Sequence, residues 1–146
     1  MFAFRQGQEA AEQTRAVTDK TKKEIMRYKT FEEMPVWQKA MDLGLGIFKL
    51  TEDLPKKEDY GLTSQIRSSA LSVPGNIAEG FGRHHRKDKI NFYYNARGSL
   101  TETKSHLIYG SRVGYFEKSQ FDEHVELIEH VWKELNSLIN SLQKES

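Results

Sequence analysis

The chain has 146 residues, enough for one domain or one domain with a tail. It is 37% hydrophobic and 29% charged, which suits a folded chain that stays in solution, and the absence of cysteine excludes disulfides, thiolate zinc sites and cysteine nucleophiles while fitting a reducing cytoplasm. Lys and Arg number 22 against 21 Asp and Glu, so bulk charge does not announce a nucleic-acid binder, and any electrostatic function depends on where the charges sit.

Residues 1–27 read as a polar N-terminal extension, and residues 28–146 as the domain. Residues 5–24 are mostly Gln, Glu, Ala, Thr, Lys and Arg, so the extension has helix propensity but no apolar stripe to bury. It lacks the apolar run of a signal peptide, and no stretch reaches the ~18 apolar residues of a membrane span. Met26 opens the recognisably globular part; whether the native chain starts there or earlier is open from the residues alone.

Low proline and glycine content favours helices. The first core helix is expected to begin near Pro35 and to end at Pro55. Val36, Ala40, Leu43, Ile47, Leu50 and Leu54 recur at alternating steps of 4 and 3, a bundle seam widened by Trp37, Met41 and Phe48. A second helix covers residues 62–81, with Leu62, Ile66, Ala70, Val73, Ile77 and Phe81 on one face. Pro74 either kinks it or splits it; the continuing stripe favours a kink, with Gly82 as a left-handed cap.

The third helix starts near Asp88 and buries Ile90, Tyr93, Leu100, Leu107 and Ile108. Gly98, Gly110 and Gly114 fall inside it, each costing ~1 kcal/mol of propensity, which suggests close helix contacts. The fourth opens on a capping-box spacing, Ser119 to Asp122, and continues through Phe121, Val125, Ile128, Val131 and Trp132, Leu135, Leu138 and Ile139, and Leu142. The fold class is therefore all-α, an antiparallel up-down-up-down four-helix bundle.

Charge is concentrated at one link. Arg83, Arg86, Lys87, Lys89 and Arg97 face Asp88 alone, with His84 and His85 between them and Tyr93 and Tyr94 close behind. Cations beside aromatics suit phosphate neutralisation and base stacking. The competing reading is an ordinary solvated loop with the tyrosines in the core.

Catalysis finds little support. The Glu-x-x-His pairs of bundle metal sites are absent, since Phe81, Gly82, Thr103, Phe121 and Leu127 stand three before the histidines. The arginine-then-histidine spacing of small helical ribonucleases does not occur, and there is no nucleophile elbow or phosphate loop. No metal or cofactor is expected. His84 and His85 could in principle do acid–base work on RNA, but adjacent loop histidines are weak evidence.

Several segments carry a resemblance. They are Phe31-Glu-Glu-Met-Pro-Val-Trp-Gln-Lys-Ala40, Tyr60-Gly-Leu-Thr-Ser-Gln-Ile-Arg67, Ser72-Val-Pro-Gly-Asn-Ile-Ala-Glu-Gly-Phe-Gly-Arg83 and Gly98-Ser-Leu-Thr-Glu102. In order and spacing they resemble the 23S rRNA intervening-sequence protein family, bacterial four-helix-bundle proteins, over about residues 28–143. That family is similar in turn to the accessory variability determinant of diversity-generating retroelements, a homopentameric barrel that binds a reverse transcriptase and nucleic acid. The resemblance implies a pentameric ring, in which the basic link would repeat into about twenty positive charges. It implies nucleic acid as partner, structured RNA in preference, contacted at Arg83, His84, His85, Arg86, Lys87, Lys89 and Arg97. The near-neutral charge and Gly75, where the family usually has alanine, set the chain apart from the retroelement determinants. The alternative is a pentameric docking platform for a reverse transcriptase or ribosomal component.

Arg67, Asn76, Glu79 and Glu102 are polar residues on otherwise apolar segments. They are expected to form a structural network, the carboxylates pairing with Arg67, Arg83 or Arg97 within or between subunits. The functional alternative is a carboxylate pair for acid–base or metal chemistry.

Overall fold

The computed structural model describes residues 5–13 and 28–144, and these residues are all-α, with no strand among them. Residues 5–13 form an exposed helix, α1, in keeping with propensity lacking an apolar stripe. The rest of the expected extension lies outside the described residues. Four long helices follow: α2 (Pro35–Leu50), α3 (Leu62–Gly82), α4 (Arg86–Arg112) and α5 (Lys118–Gln143). Single turns of 3-10 helix at Phe31–Glu33 and Lys56–Glu58 precede α2 and α3. Consecutive long helices pack on one another, most extensively α3 on α4, and α2 also packs on α5.

The heptad seam of α2 is buried as its spacing requires: Val36, Ala40, Leu43 and Ile47 all lie in the core. Ile66, Val73 and Ile77 of α3, Tyr93, Leu100 and Leu107 of α4, and Val131, Leu135 and Ile139 of α5 meet them there. Burial of these stripes, rather than propensity, holds the helices.

Several expected details differ. Helix α2 ends at Leu50, one turn before Pro55, because the residue before a proline is pushed out of helical geometry and residues 51–54 relax into turns. The buried Thr51 hydroxyl donates to the Ile47 carbonyl at 2.8 Å and satisfies the frayed end. Helix α3 runs unbroken through the buried Pro74. Around that proline, Ser72 Oγ donates to the Ser68 carbonyl at 2.9 Å and Asn76 Nδ2 to the Ser72 carbonyl at 2.8 Å.

Gly82 is not a left-handed cap; it ends the helix and Arg83 leaves in an extended conformation. Gly114 lies beyond α4 rather than inside it, with φ +88, and it is the one described residue in that region. The capping box of α5 starts two residues earlier than expected, at Glu117, whose backbone N–H donates to Gln120 Oε1 at 3.0 Å. Phe48 and Trp132, expected in the buried stripes, are exposed.

Close helix approach occurs at Gly80, where a Cβ would lie 2.7 Å from the Tyr93 ring of α4, and at Gly46, where it would lie 3.1 Å from His124 Nε2 of α5. A Cβ on Gly110 would overlap the ring of Phe116 in the turn after α4. Gly98, expected to mark a close contact, faces open space instead.

Candidate nucleic-acid interface

The turn between α3 and α4 is short because both helices end on it. Arg83 is the extended cap of α3, His85 the extended cap of α4, and His84 lies between them. The two imidazoles stack edge to face, 5.1 Å between centroids. Arg83, His84, His85 and Lys87 are exposed, and Arg86 is partly so.

The seven expected contact residues divide into two groups by what already holds them. Arg83 Nη2 donates to Glu79 Oε1 at 2.7 Å, and its guanidinium lies 4.7 Å from the centre of the Phe92 ring. Lys89 turns back onto the end of α3, where Nζ donates to the Phe81 carbonyl at 2.7 Å and the Gly80 carbonyl at 3.3 Å. These are C-terminal carbonyls that the helix cannot bond itself, and the negative end of its dipole favours a cation there. Desolvation lowers the Lys89 pKa below its ordinary value.

Arg97 sits three turns along α4. Its Nη1 donates to Asn136 Oδ1 of α5 at 2.8 Å, and its guanidinium lies 4.8 Å from the Tyr94 ring centre and 5.1 Å from that of Trp132. Lys89 and Arg97 therefore tie helices together. Among the described residues, Arg86 and Lys87 have no ion-pair or side-chain hydrogen-bond partner. Both stand in the first turn of α4, where only Asp88 is acidic. A cation at a helix N-terminus works against the macrodipole, whereas an anion there is favoured.

Of the expected polar network, one protomer forms the Glu79–Arg83 pair and not the rest. Arg67 Nε donates to Thr51 Oγ1 at 2.7 Å and its guanidinium covers Phe48, 4.4 Å from the ring centre. Asn76 bonds its own helix. Glu79 pairs with Arg83, and Glu102 lies 3.4 Å from His106, each one turn on and each with an exposed carboxylate. The premise of buried carboxylates fails because both side chains point to solvent from the polar faces of α3 and α4. Their separate i,i+4 partners also leave no carboxylate pair in this chain.

A recess of about 250 Å³ lies at the other end of α3 and α4, lined by Glu58, Gly61, Leu62, Gln65, His106 and Tyr109. It holds none of the basic cluster. Among the described residues no three His, Asp or Glu side chains are grouped to hold a metal, and no helix is long and apolar enough to cross a membrane.

A family model described as 23S rRNA-intervening sequence protein matches residues 32–137, from the turn before α2 through most of α5. The chain belongs to the 23S rRNA-intervening sequence protein family. A solved structure of a protein with unknown function from the S23 ribosomal protein family of Bacteroides thetaiotaomicron is similar in fold, with a TM-score of 0.65 and 24% identity. The alignment covers 71% of this chain and 97% of that one. No curated protein matches the sequence.

Sequence reasoning about this family member missed Trp132 and Asn136. Trp132 adjoins Val131 on the α5 stripe, and adjacent apolar residues cannot both face the core centre. Its pairing with Arg97 is a contact between distant segments, which no local pattern reveals.

Proposed function

We propose that this protein is a non-catalytic, nucleic-acid-binding member of the 23S rRNA-intervening sequence family that acts in the cytoplasm on structured RNA. In this reading each protomer is an up-down-up-down four-helix bundle, and protomers assemble into a homo-oligomer, a pentamer by family resemblance. The observation that carries it is the pair Arg86 and Lys87. Both are without partners among the described residues and stand where the α4 dipole already attracts phosphate. Their position costs the isolated helix stability, and a bound anion reverses that sign.

Assembly draws support from the α2–α3 side. Leu45 and Phe48 of α2 and Leu71 of α3 are exposed, and Arg67 over the Phe48 ring links the two helices one turn from Leu71. Apolar side chains so clustered favour burial against a second copy.

The test is binding to a structured RNA across a salt series, with oligomer mass followed by light scattering. The Arg86→Ala/Lys87→Ala double variant is expected to lose most of the salt-sensitive affinity while keeping its mass. Undiminished binding by the double variant would sink the proposal. Absence of wild-type binding at low salt favours the docking-platform alternative.

A further inference from the structure

The α4–α5 face next to the basic turn has no role in the contacts discussed for Arg86 and Lys87, yet its composition is unusual for a solvated surface. Tyr94 and Trp132 expose 37% and 38% of their area, and Arg97 lies within cation–π range of both rings. On the same helix Val131 and Leu135 are fully buried in the core, while Trp132 stays outside it.

The rings are also held in place. Tyr94 Oη accepts a hydrogen bond from Gln143 Nε2 at 2.8 Å, and Arg97 is anchored by Asn136. The result is two partly open aromatic surfaces, Tyr94 fixed through its hydroxyl and both rings in contact with the Arg97 guanidinium. Seven residues along a helix bring the chain back to nearly the same side, so Tyr94 lies in line with Lys87, about 10 Å further along the axis. The exposed side chains Leu45, Phe48 and Leu71 are mainly aliphatic, and the arginine over Phe48 is already bonded to Thr51.

We infer that Tyr94 and Trp132 form a stacking platform for unpaired bases of a single strand whose phosphates are held at Arg86 and Lys87. The inference rests on the nucleic-acid reading and narrows its ligand: the contacted part of a structured RNA is a single-stranded loop or end, not the duplex. Aromatic faces accept any base, so the platform selects unpaired over paired strands and not sequence. Arg97 acts as a positioning residue that holds the two rings.

The chain has two tryptophans, so a Trp37→Phe variant leaves Trp132 as the only indole emitter. Its fluorescence is titrated at low salt with a short oligouridylate and with a blunt RNA duplex of equal length. The single strand is expected to quench Trp132 saturably, and the duplex to bind more weakly without quenching. Trp132→Leu should weaken single-strand binding about five- to a hundredfold, while Trp132→Phe, which preserves a stacking ring, restores most of it. Thermal melts of each variant confirm folding.

Single-strand binding that depends on Arg86 and Lys87 but leaves Trp132 emission unchanged overturns the platform and leaves the basic-turn reading standing. Equal affinity of Trp132→Leu and wild type overturns it too. Failure of every RNA to bind overturns both. Preference for the duplex refutes the single-strand assignment alone.

Discussion

Gly80 and Gly98 should respond with opposite signs to the same added methyl group. Gly80 is buried where α3 crosses α4, and alanine there would place Cβ 2.7 Å from Tyr93 Cε1, 3.1 Å from Cδ1 and 3.2 Å from Phe92 Cβ. The Tyr93 ring is 1% exposed, so it cannot swing aside. Overpacking of this kind costs about 1–3 kcal/mol, and the gain in helix propensity returns about 1 kcal/mol. Gly80→Ala is therefore expected to lose up to about 2 kcal/mol. Gly98 is exposed on α4 with open space around it, so Gly98→Ala keeps the propensity gain of up to about 1 kcal/mol. For a chain of this size each kcal/mol moves Tm by about 3–4 °C. Circular-dichroism melts should thus place Gly98→Ala above wild type and Gly80→Ala below it, separated by about 3–12 °C. A Gly80→Ala protein as stable as Gly98→Ala would refute the close α3–α4 contact that sets the basic turn.

Three further outcomes follow from particular contacts. Burial holds the Tyr93 phenol protonated above its ordinary pKa, so above pH ~10 the unfolded chain loses a proton that the folded chain keeps; stability should fall there by up to about 1.4 kcal/mol per pH unit, and Tyr93→Phe should flatten that slope in alkaline urea titrations. Lys89→Met retains the aliphatic stem but removes the two bonds to the end of α3, and its urea midpoint should show a loss of about 1–2 kcal/mol; an unchanged midpoint would contradict the cap. Glu102→Ala breaks only an exposed pair with His106, so the protomer should change by less than about 1 kcal/mol, while light scattering should show weakened assembly if Glu102 works between subunits; an intact oligomer confines it to the i,i+4 pair.

The helices were legible because their seams obey one period. Val36 to Ile47 and Ile128 to Leu142 repeat so regularly that each helix could be placed without tertiary information. Boundaries were less so, since they depend on balances that pattern cannot weigh. Pro55 stopped α2 by acting on the residues before it, and Glu117 rather than Ser119 won the cap of α5. The polar positions were the least legible. Lys89 and Arg97 looked like members of one solvent-facing cluster with Lys87, yet each reaches another helix. A long cationic side chain bonds whatever its tip reaches, and that neighbour is set by the packing of segments far apart in sequence. Glu79 and Glu102 show the converse. Their polarity on apolar stretches suggested burial, but each lies on the outward face, where i,i+4 pairing is a surface feature.

The near-neutral total charge and a binding role are compatible once structural cations are separated from available ones. Lys89 and Arg97 spend their donors on helix ends and on α5, and Arg83 shares its charge with Glu79. What remains for a phosphate within the basic cluster, its histidines aside, is Arg86 and Lys87, a small number for one protomer. Two contacts give a single strand a salt slope of only about −1.4, the signature of weak binding. Repetition changes this. Each protomer added to one assembly adds its own pair at a fixed spacing, and linked contacts multiply affinity without any new interaction. Stacking on Tyr94 and Trp132, as proposed, would add affinity that salt does not screen as phosphate contacts are screened. On this account affinity should follow the size of the oligomer more closely than the charge of the chain, and weakening assembly should cost binding even with Arg86 and Lys87 intact.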